Sequence, residues 1–237
     1  MTETMTEGGL GFLADPRLAA MGWLVHGFGN AGWSEADFLD SAASKGLRPV
    51  IMRQVHSDVI HRLEVAPAGK LEGDALMTNV PGLLLVVRTA DCLPVLLADE
   101  KSRAVASVHC GWRGTRVRVL ERAAREMGRA YGTEPARLVA ALGPCIGPAC
   151  YEVGPEVKES FGAAGFPAEV FEPVADRPGK SLLDLRGANA WLLQGLGVKK
   201  TNIWTAEACT HCDPGLLSYR RDKGEPRRMY NFIGIRP

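Results

Sequence analysis

A chain of 237 residues, 46% hydrophobic and 23% charged, is long enough to bury a sizeable core and too balanced for a disordered or membrane-spanning protein. Its 28 Lys and Arg against 27 Asp and Glu leave a net charge of +1, so no strong field attracts a polyanion and no nucleic-acid partner is expected. Six cysteines are too few for a disulfide scaffold of this size and suit free thiols or metal ligands in a reducing compartment.

Residues 1–9 are polar and small and lack the basic and apolar regions of an export signal. They read as a flexible N-terminus, and with no apolar run long enough to span a bilayer the chain reads as cytoplasmic, without a membrane partner. A first strand is predicted over 23–26. Over 34–45 the sequence predicts a helix: Ser34 and Asp37 have capping-box spacing, Phe38 and Ala42 are four apart, and Gly46 follows as a stop. Short apolar or alternating runs then predict strands over 50–56, 83–88, 93–98 and 104–109. A second helix is predicted over 115–131, where Val117, Leu120, Ala124 and Met127 form one stripe. Strands over 138–142 and 202–205 complete a set of seven, with a third helix over 183–196 between them. Several strands follow one another without a helix, and neither a repeat nor a linker divides the chain. One domain spanning 1–237 is therefore expected, of the α+β class, with mixed β-sheet layers and covering α-helices.

Three potential metal ligands fall at similar places in this outline. His56 and His109 end strand candidates, and Cys92 follows a third by a few residues. A sheet can hold side chains at neighbouring strand ends in fixed geometry. Two imidazoles and one thiolate leave a fourth tetrahedral position for water, the pattern of catalytic zinc. Separations of 36 and 17 residues match no short metal signature, however, and taken singly each residue has an ordinary packing explanation.

The strings around them are more specific. Arg53-Gln54-Val55-His56, Gly73-Asp74-Ala75-Leu76-Met77-Thr78, Thr89-Ala90-Asp91-Cys92-Leu93-Pro94-Val95 and Val108-His109-Cys110-Gly111-Trp112-Arg113-Gly114 resemble the YfiH-type family, long labelled laccase-like polyphenol oxidases and later recognised as purine nucleoside phosphorylases. The resemblance continues through Gly143-Pro144-Cys145-Ile146-Gly147 and Tyr151-Glu152-Val153-Gly154 to Ser218-Tyr219-Arg220-Arg221 and covers nearly the whole chain. It implies a YfiH-like layered fold and a metal, zinc or else copper, on His56, Cys92 and His109. It also implies purine nucleosides and phosphate as partners: phosphorolysis of adenosine, inosine, guanosine and methylthioadenosine, with hydrolytic deamination of adenosine. The chain departs from the family pattern at Cys110, where Ala is common, and in the cysteine-rich Cys209-Thr210-His211-Cys212. Cys110 follows His109 in a strand, so it should face the opposite side and join the core.

Deamination needs a proton shuttle near C6 of adenine, for which Asp74 and Asp91 are candidates; a turn after Gly73 and a strand-end cap are their structural alternatives. Phosphorolysis needs an anion pocket. Arg113, just before the helix expected from Thr115, is the first candidate, with Arg53, Arg88, Arg220 and Arg221 behind it. Trp112 or Tyr219 could stack on the base. Three rivals stand beside this reading. A mononuclear copper polyphenol oxidase would use the same two His and Cys, although five histidines and no His-x-His pair exclude a four-copper laccase. A cysteine hydrolase, or a cell-wall precursor editing enzyme, would use Cys92 as nucleophile with His109 as base. A non-enzymatic reading puts structural zinc on Cys209, Cys212 and two of Cys145, Cys150 and His211. Monomer and homodimer are both open.

Overall fold

Residues 93–99 and 104–110 are buried along their whole length, so both strands must be covered on both faces. The computed structural model, which describes residues 3–7, 10–223 and 226–237, shows how. Its strands are β1 (Glu3–Glu7), β2 (Leu10–Ala14), β3 (Leu24–Phe28), β4 (Arg48–Ile51), β5 (Ile60–Leu63), β6 (Ala75–Thr78), β7 (Leu83–Thr89), β8 (Leu93–Asp99), β9 (Ala104–Cys110), β10 (Val139–Leu142), β11 (Glu152–Val153), β12 (Phe171–Pro173), β13 (Ser181–Leu183), β14 (Ile203–Thr205) and β15 (Met229–Ile235). Its helices are α1 (Pro16–Ala20), α2 (Glu35–Ser44), α3 (Trp112–Arg116), α4 (Val119–Tyr131), α5 (Pro155–Ala163), α6 (Leu185–Gly195) and α7 (Tyr219–Asp222).

Two six-stranded sheets carry the fold, one in the order β1-β2-β3-β15-β7-β4 and the other β14-β10-β8-β9-β6-β5, with a small third sheet β11-β13-β12. Strand alternation decides how they stack. Ala104, Ala106, Val108 and Cys110 of β9 pack with Leu120 and Met127 of α4 and Leu192 of α6. Val105, one residue out of phase, packs with Leu85 and Val87 of β7 and Ile233 of β15. The outer face of the first sheet, with Leu84, Val86 and Phe232, is closed by Phe38 and Ala42 of α2. The result is a helix-sheet-sheet-helix stack of the α+β class, as the pattern of strands and helices predicted.

Three differences from the predicted elements matter. The helix predicted over 115–131 is two helices, α3 and α4, broken at Arg118, which is left-handed with φ of 61°. Its guanidinium bonds Glu121 at 2.9 Å and the Ala164 carbonyl at 2.8 Å, contacts that offset the cost of that conformation. Residues 3–7 are a strand in register with β2, Glu3 opposite Ala14 and Glu7 opposite Leu10, where no strand was predicted. Residues 1, 2, 8 and 9 lie outside the described residues. Finally, β15 is central to the first sheet yet was not among the seven predicted strands. Its alternating Tyr230/Phe232 and Ile233/Ile235 faces are interrupted by a buried Asn231 and by Gly234, where a Cβ would meet the Leu83 carbonyl at 2.5 Å. The strand predicted over 50–56 is β4, which ends at Ile51, and β2, β5, β6, β11, β12, β13, α1, α5 and α7 were not predicted, while the other predicted strands and the helices over 34–45 and 183–196 are found within two residues of their predicted bounds. The capping box is formed, with Asp37 N donating to Ser34 Oγ and Ser34 N to Asp37 Oδ2, each at 3.2 Å. Among the described residues no helix is long and apolar enough to cross a membrane.

Candidate metal centre and its cavity

Register brings the first residues together. In the antiparallel ladder Leu93 of β8 faces Cys110 of β9, and Ala75 of β6 faces Val108, so Cys92, His109 and Asp74 meet at one end of three adjacent strands. His56 does not arrive on a strand: β4 stops at Ile51, and His56 lies in the loop crossing to β5 with φ of 58°. The reason is Asp74. Its wholly buried carboxylate accepts from the backbone N–H groups of Val55, His56 and Ser57 at 3.3, 3.0 and 2.5 Å, and from Ser57 Oγ at 2.7 Å, drawing the loop off the sheet. The left-handed conformation at His56, costly for a non-glycine residue, is held by these bonds.

The donor atoms of His56, Cys92 and His109 all lie within 4.8 Å of one another, and the two imidazoles sit 4.9 Å apart between centroids. His109 Nδ1 is 2.7 Å from Asp74 Oδ1, which fixes the ring and leaves Nε2 for a ligand. At Gly111 a Cβ would lie 2.8 Å from His56 Nδ1 and 3.0 Å from Cys92 Sγ, so only glycine lets both approach. Burial pushes the Asp74 carboxyl up, but hydrogen bonds from His109 and Ser57 hold it down at about 2. Burial likewise lowers His109, against which the Cys92 sulfur and the Asp74 carboxylate push it up to about 9. His56 is shifted down by burial and by His109, against the pull of Asp74. Borderline-soft donors, a bonded outer carboxylate and a cradle cleared of side chain together fit a zinc-like cation.

The exposed side of this cluster, at His56, opens into a cavity of about 590 Å³. Residues 36–236 match the family model described as multi-copper polyphenol oxidoreductase laccase. The chain belongs to that family. A purine nucleoside phosphorylase of Deinococcus radiodurans is 43% identical over 185 residues, 78% of this chain and 69% of the relative. An adenosine deaminase, RL5, from an unknown prokaryotic organism is 41% identical over 144 residues, 60% of this chain and 55% of the relative. The crystal structure of YlmD from Geobacillus stearothermophilus superposes with a TM-score of 0.87 at 26% identity, covering 100% of both chains.

Within this family member, the cavity sorts the arginines singled out by sequence. Arg53, Arg88, Arg113 and Arg220 line it, joined by Arg228, while Asp91 is its one acidic lining residue. Arg53 is tied to Glu72 at 2.6 Å. The buried Nε of Arg88 meets no protein acceptor. Arg113 lies over the Trp112 ring at 4.4 Å, Arg220 over Tyr151 at 5.4 Å and Arg228 over Tyr219 at 5.6 Å, so aromatic faces hold three of the cations. Arg113 belongs to a helix that begins at Trp112 and runs five residues, not to the start of a long helix at Thr115. Arg221 is not among the lining residues; its guanidinium bonds the carbonyls of Thr210, Asp213 and Leu216 at 2.8, 3.0 and 2.8 Å and so staples the loop before α7.

The two aspartates differ in the same way. Asp74 is not among the cavity-lining residues; its carboxylate bonds His109 and the backbone of the His56 loop. Asp91, left-handed with φ of 82°, lines the cavity while accepting from Thr210 Oγ1 and Arg220 N, both at 2.6 Å. It thereby anchors the C-terminal loop beside Cys92. Cys110 is buried in the core with Leu93 and Val108, as strand alternation predicted, and burial pushes its thiol up. Tyr151, Gln54 and Arg228 are cavity residues that sequence reasoning missed. Tyr151 sat inside a recognised string, but nothing in its neighbours says which way it points.

Proposed function

We propose that this chain is a metal-dependent purine nucleoside phosphorylase that also deaminates adenosine, with zinc on His56, Cys92 and His109. The observation that carries the reading is one three-donor cluster, braced by Asp74, opening into a cavity lined by five arginines and one carboxylate. The names of the phosphorylase and deaminase relatives support the two activities. Bound there, a divalent cation would supply Lewis acidity and ionise water near neutral pH.

The chain's own groups supply the rest. In phosphorolysis a phosphate oxygen bonds the ribose C1′ as the glycosidic C–N bond breaks and the purine leaves as an anion to be protonated. Arg88, Arg113, Arg220 and Arg228 concentrate positive charge where phosphate must be held in line. Tyr219, 56% exposed at the mouth, offers a face for the base. Asp74 keeps His109 in one orientation throughout, and Asp91 is the carboxylate placed to move a proton inside the cavity.

The test is incubation of zinc-loaded protein with adenosine, with and without phosphate. Adenine and ribose 1-phosphate with phosphate, and inosine without it, are expected; silence on all three overturns the reading. One geometric fact favours a second reading. Asp74, His109 and Cys92 are also the series a cysteine hydrolase needs, with the base oriented by a carboxylate. That series has no use for His56. Activity kept after chelation, or in His56→Ala, would select the nucleophile; activity lost in both selects the metal.

A further inference from the structure

A second cluster of soft donors stands apart from the first, where two loops are stitched together. Thr210 N donates to the Cys145 carbonyl at 3.1 Å, and Gly147 N donates to Cys209 Sγ at 3.1 Å. A turn closed by Cys212 N on the Cys209 carbonyl, at 3.2 Å, presents both thiols of the Cys-x-x-C from one side of the junction. Cys150 presents a third from the other side. Its Sγ is 3.3 Å from Cys212 Sγ, and it also neighbours Cys209. The His211 ring completes the group, and the donor atoms of Cys150, His211 and Cys212 all lie within 4.8 Å of one another. Cys150 and His211 are half-buried and Cys212 is exposed, so solvent ions reach them. Cys145, which sequence spacing left in contention, is excluded: it is buried and its sulfur is engaged by Arg186 Nε at 3.2 Å.

We propose that Cys150, His211 and Cys212, with Cys209 as the fourth donor, hold a second thiophilic divalent cation, of the zinc class, in a structural site. Four protein donors close the tetrahedron and leave no position for water, unlike the three-donor cluster at His56. Zn–S bonds of about 2.3 Å set two thiolates on the order of 3.8 Å apart, so the observed sulfur spacing needs only a slight opening as the thiols give up their protons. Residues 62 apart in sequence become one covalently cross-linked junction. The junction bears on the cavity, because Ile146 and Tyr151 flank one side of it and Thr210, which binds Asp91, lies inside the other.

The experiment counts metal and is independent of what the cavity turns over. Protein purified with reductant and excess zinc, then desalted, should carry about two zinc ions per chain by elemental analysis. Cys150→Ser/Cys212→Ser should carry about one, and so should Cys92→Ser. Cobalt loading of Cys92→Ser supplies a second readout that needs no perfect fold comparison, since any remaining sulfur-to-cobalt charge-transfer band comes from the second cluster. As much zinc in Cys150→Ser/Cys212→Ser as in the wild type, or no such band in cobalt-loaded Cys92→Ser, would each overturn the proposal. So would a Cys150–Cys212 disulfide, found by mass in the purified protein, that resists reductant and keeps zinc out.

Discussion

The two donor clusters of this protein are built from the same residue types and are supported in opposite ways. At His56, Cys92 and His109 one ligand is wholly enclosed, a buried carboxylate bonds both the ligand ring and the loop carrying the next ligand, and a glycine clears the space between them. At Cys150, Cys209, His211 and Cys212 the donors ride on a tight turn and a neighbouring loop, with no carboxylate behind them among the described residues. The first arrangement is set before any cation arrives and keeps one side open to a cavity. The second joins two loops at the surface, with Cys212 exposed. Preorganisation with an open side suits chemistry, and closure suits cross-linking.

Breaking the first cluster should have the largest effect. Cys92→Ser should lower kcat/KM for phosphorolysis by on the order of 10³-fold, since the cation supplies several kcal/mol at the transition state. Steady-state kinetics with adenosine and phosphate would check it, and near-normal activity would remove metal from the reaction. Next comes the brace. Asp74→Asn should weaken zinc binding by about 10- to 100-fold, measured by competition with a chromogenic chelator; unchanged affinity would mean that the carboxylate merely fills space. In the cavity, Arg113→Ala should raise the KM for phosphate by about tenfold, the worth of one charge-assisted hydrogen bond, while leaving the KM for nucleoside nearly unchanged. A rise confined to nucleoside would reassign Arg113 to the base. The smallest effect belongs to the second cluster: Cys150→Ser/Cys212→Ser should change kcat by less than about twofold, because its donors neither line the cavity nor touch its ligands. A collapse of activity there, with the zinc at His56 still present by metal analysis, would erase the distinction between the two clusters.

Much of the site was legible along the chain, and where it was not the cause is specific. His109 and Cys92 were readable because strands announce themselves by apolar runs, and ladder register then aligns their ends. His56 was matched by its surrounding string, but the strand assumed to deliver it, β4, stops at Ile51. The competing carboxylate that bends its loop lies 18 residues away. Asp74 could be flagged and not assigned, since its partner His109 is 35 residues distant and only packing shows that its oxygens are all spent inward. Arg220 and Arg221 are neighbours in one string; one faces the cavity and the other grips four backbone carbonyls, a difference of side-chain direction.

Sequence by itself determined the class of fold, the helix starts that capping residues mark, the family, and the donor types from which a metal centre could be made. These are local: each depends on periodicity or on neighbours within a few positions. Tertiary structure alone decided which donors lie together, that Asp74 bonds His109 while Asp91 lines the cavity, that Arg221 bonds loop carbonyls, and that Cys150 meets His211 and Cys212 in a second cluster. Those facts depend on contacts between residues tens of positions apart, whose geometry is set by strand register and by where buried polar groups find their partners.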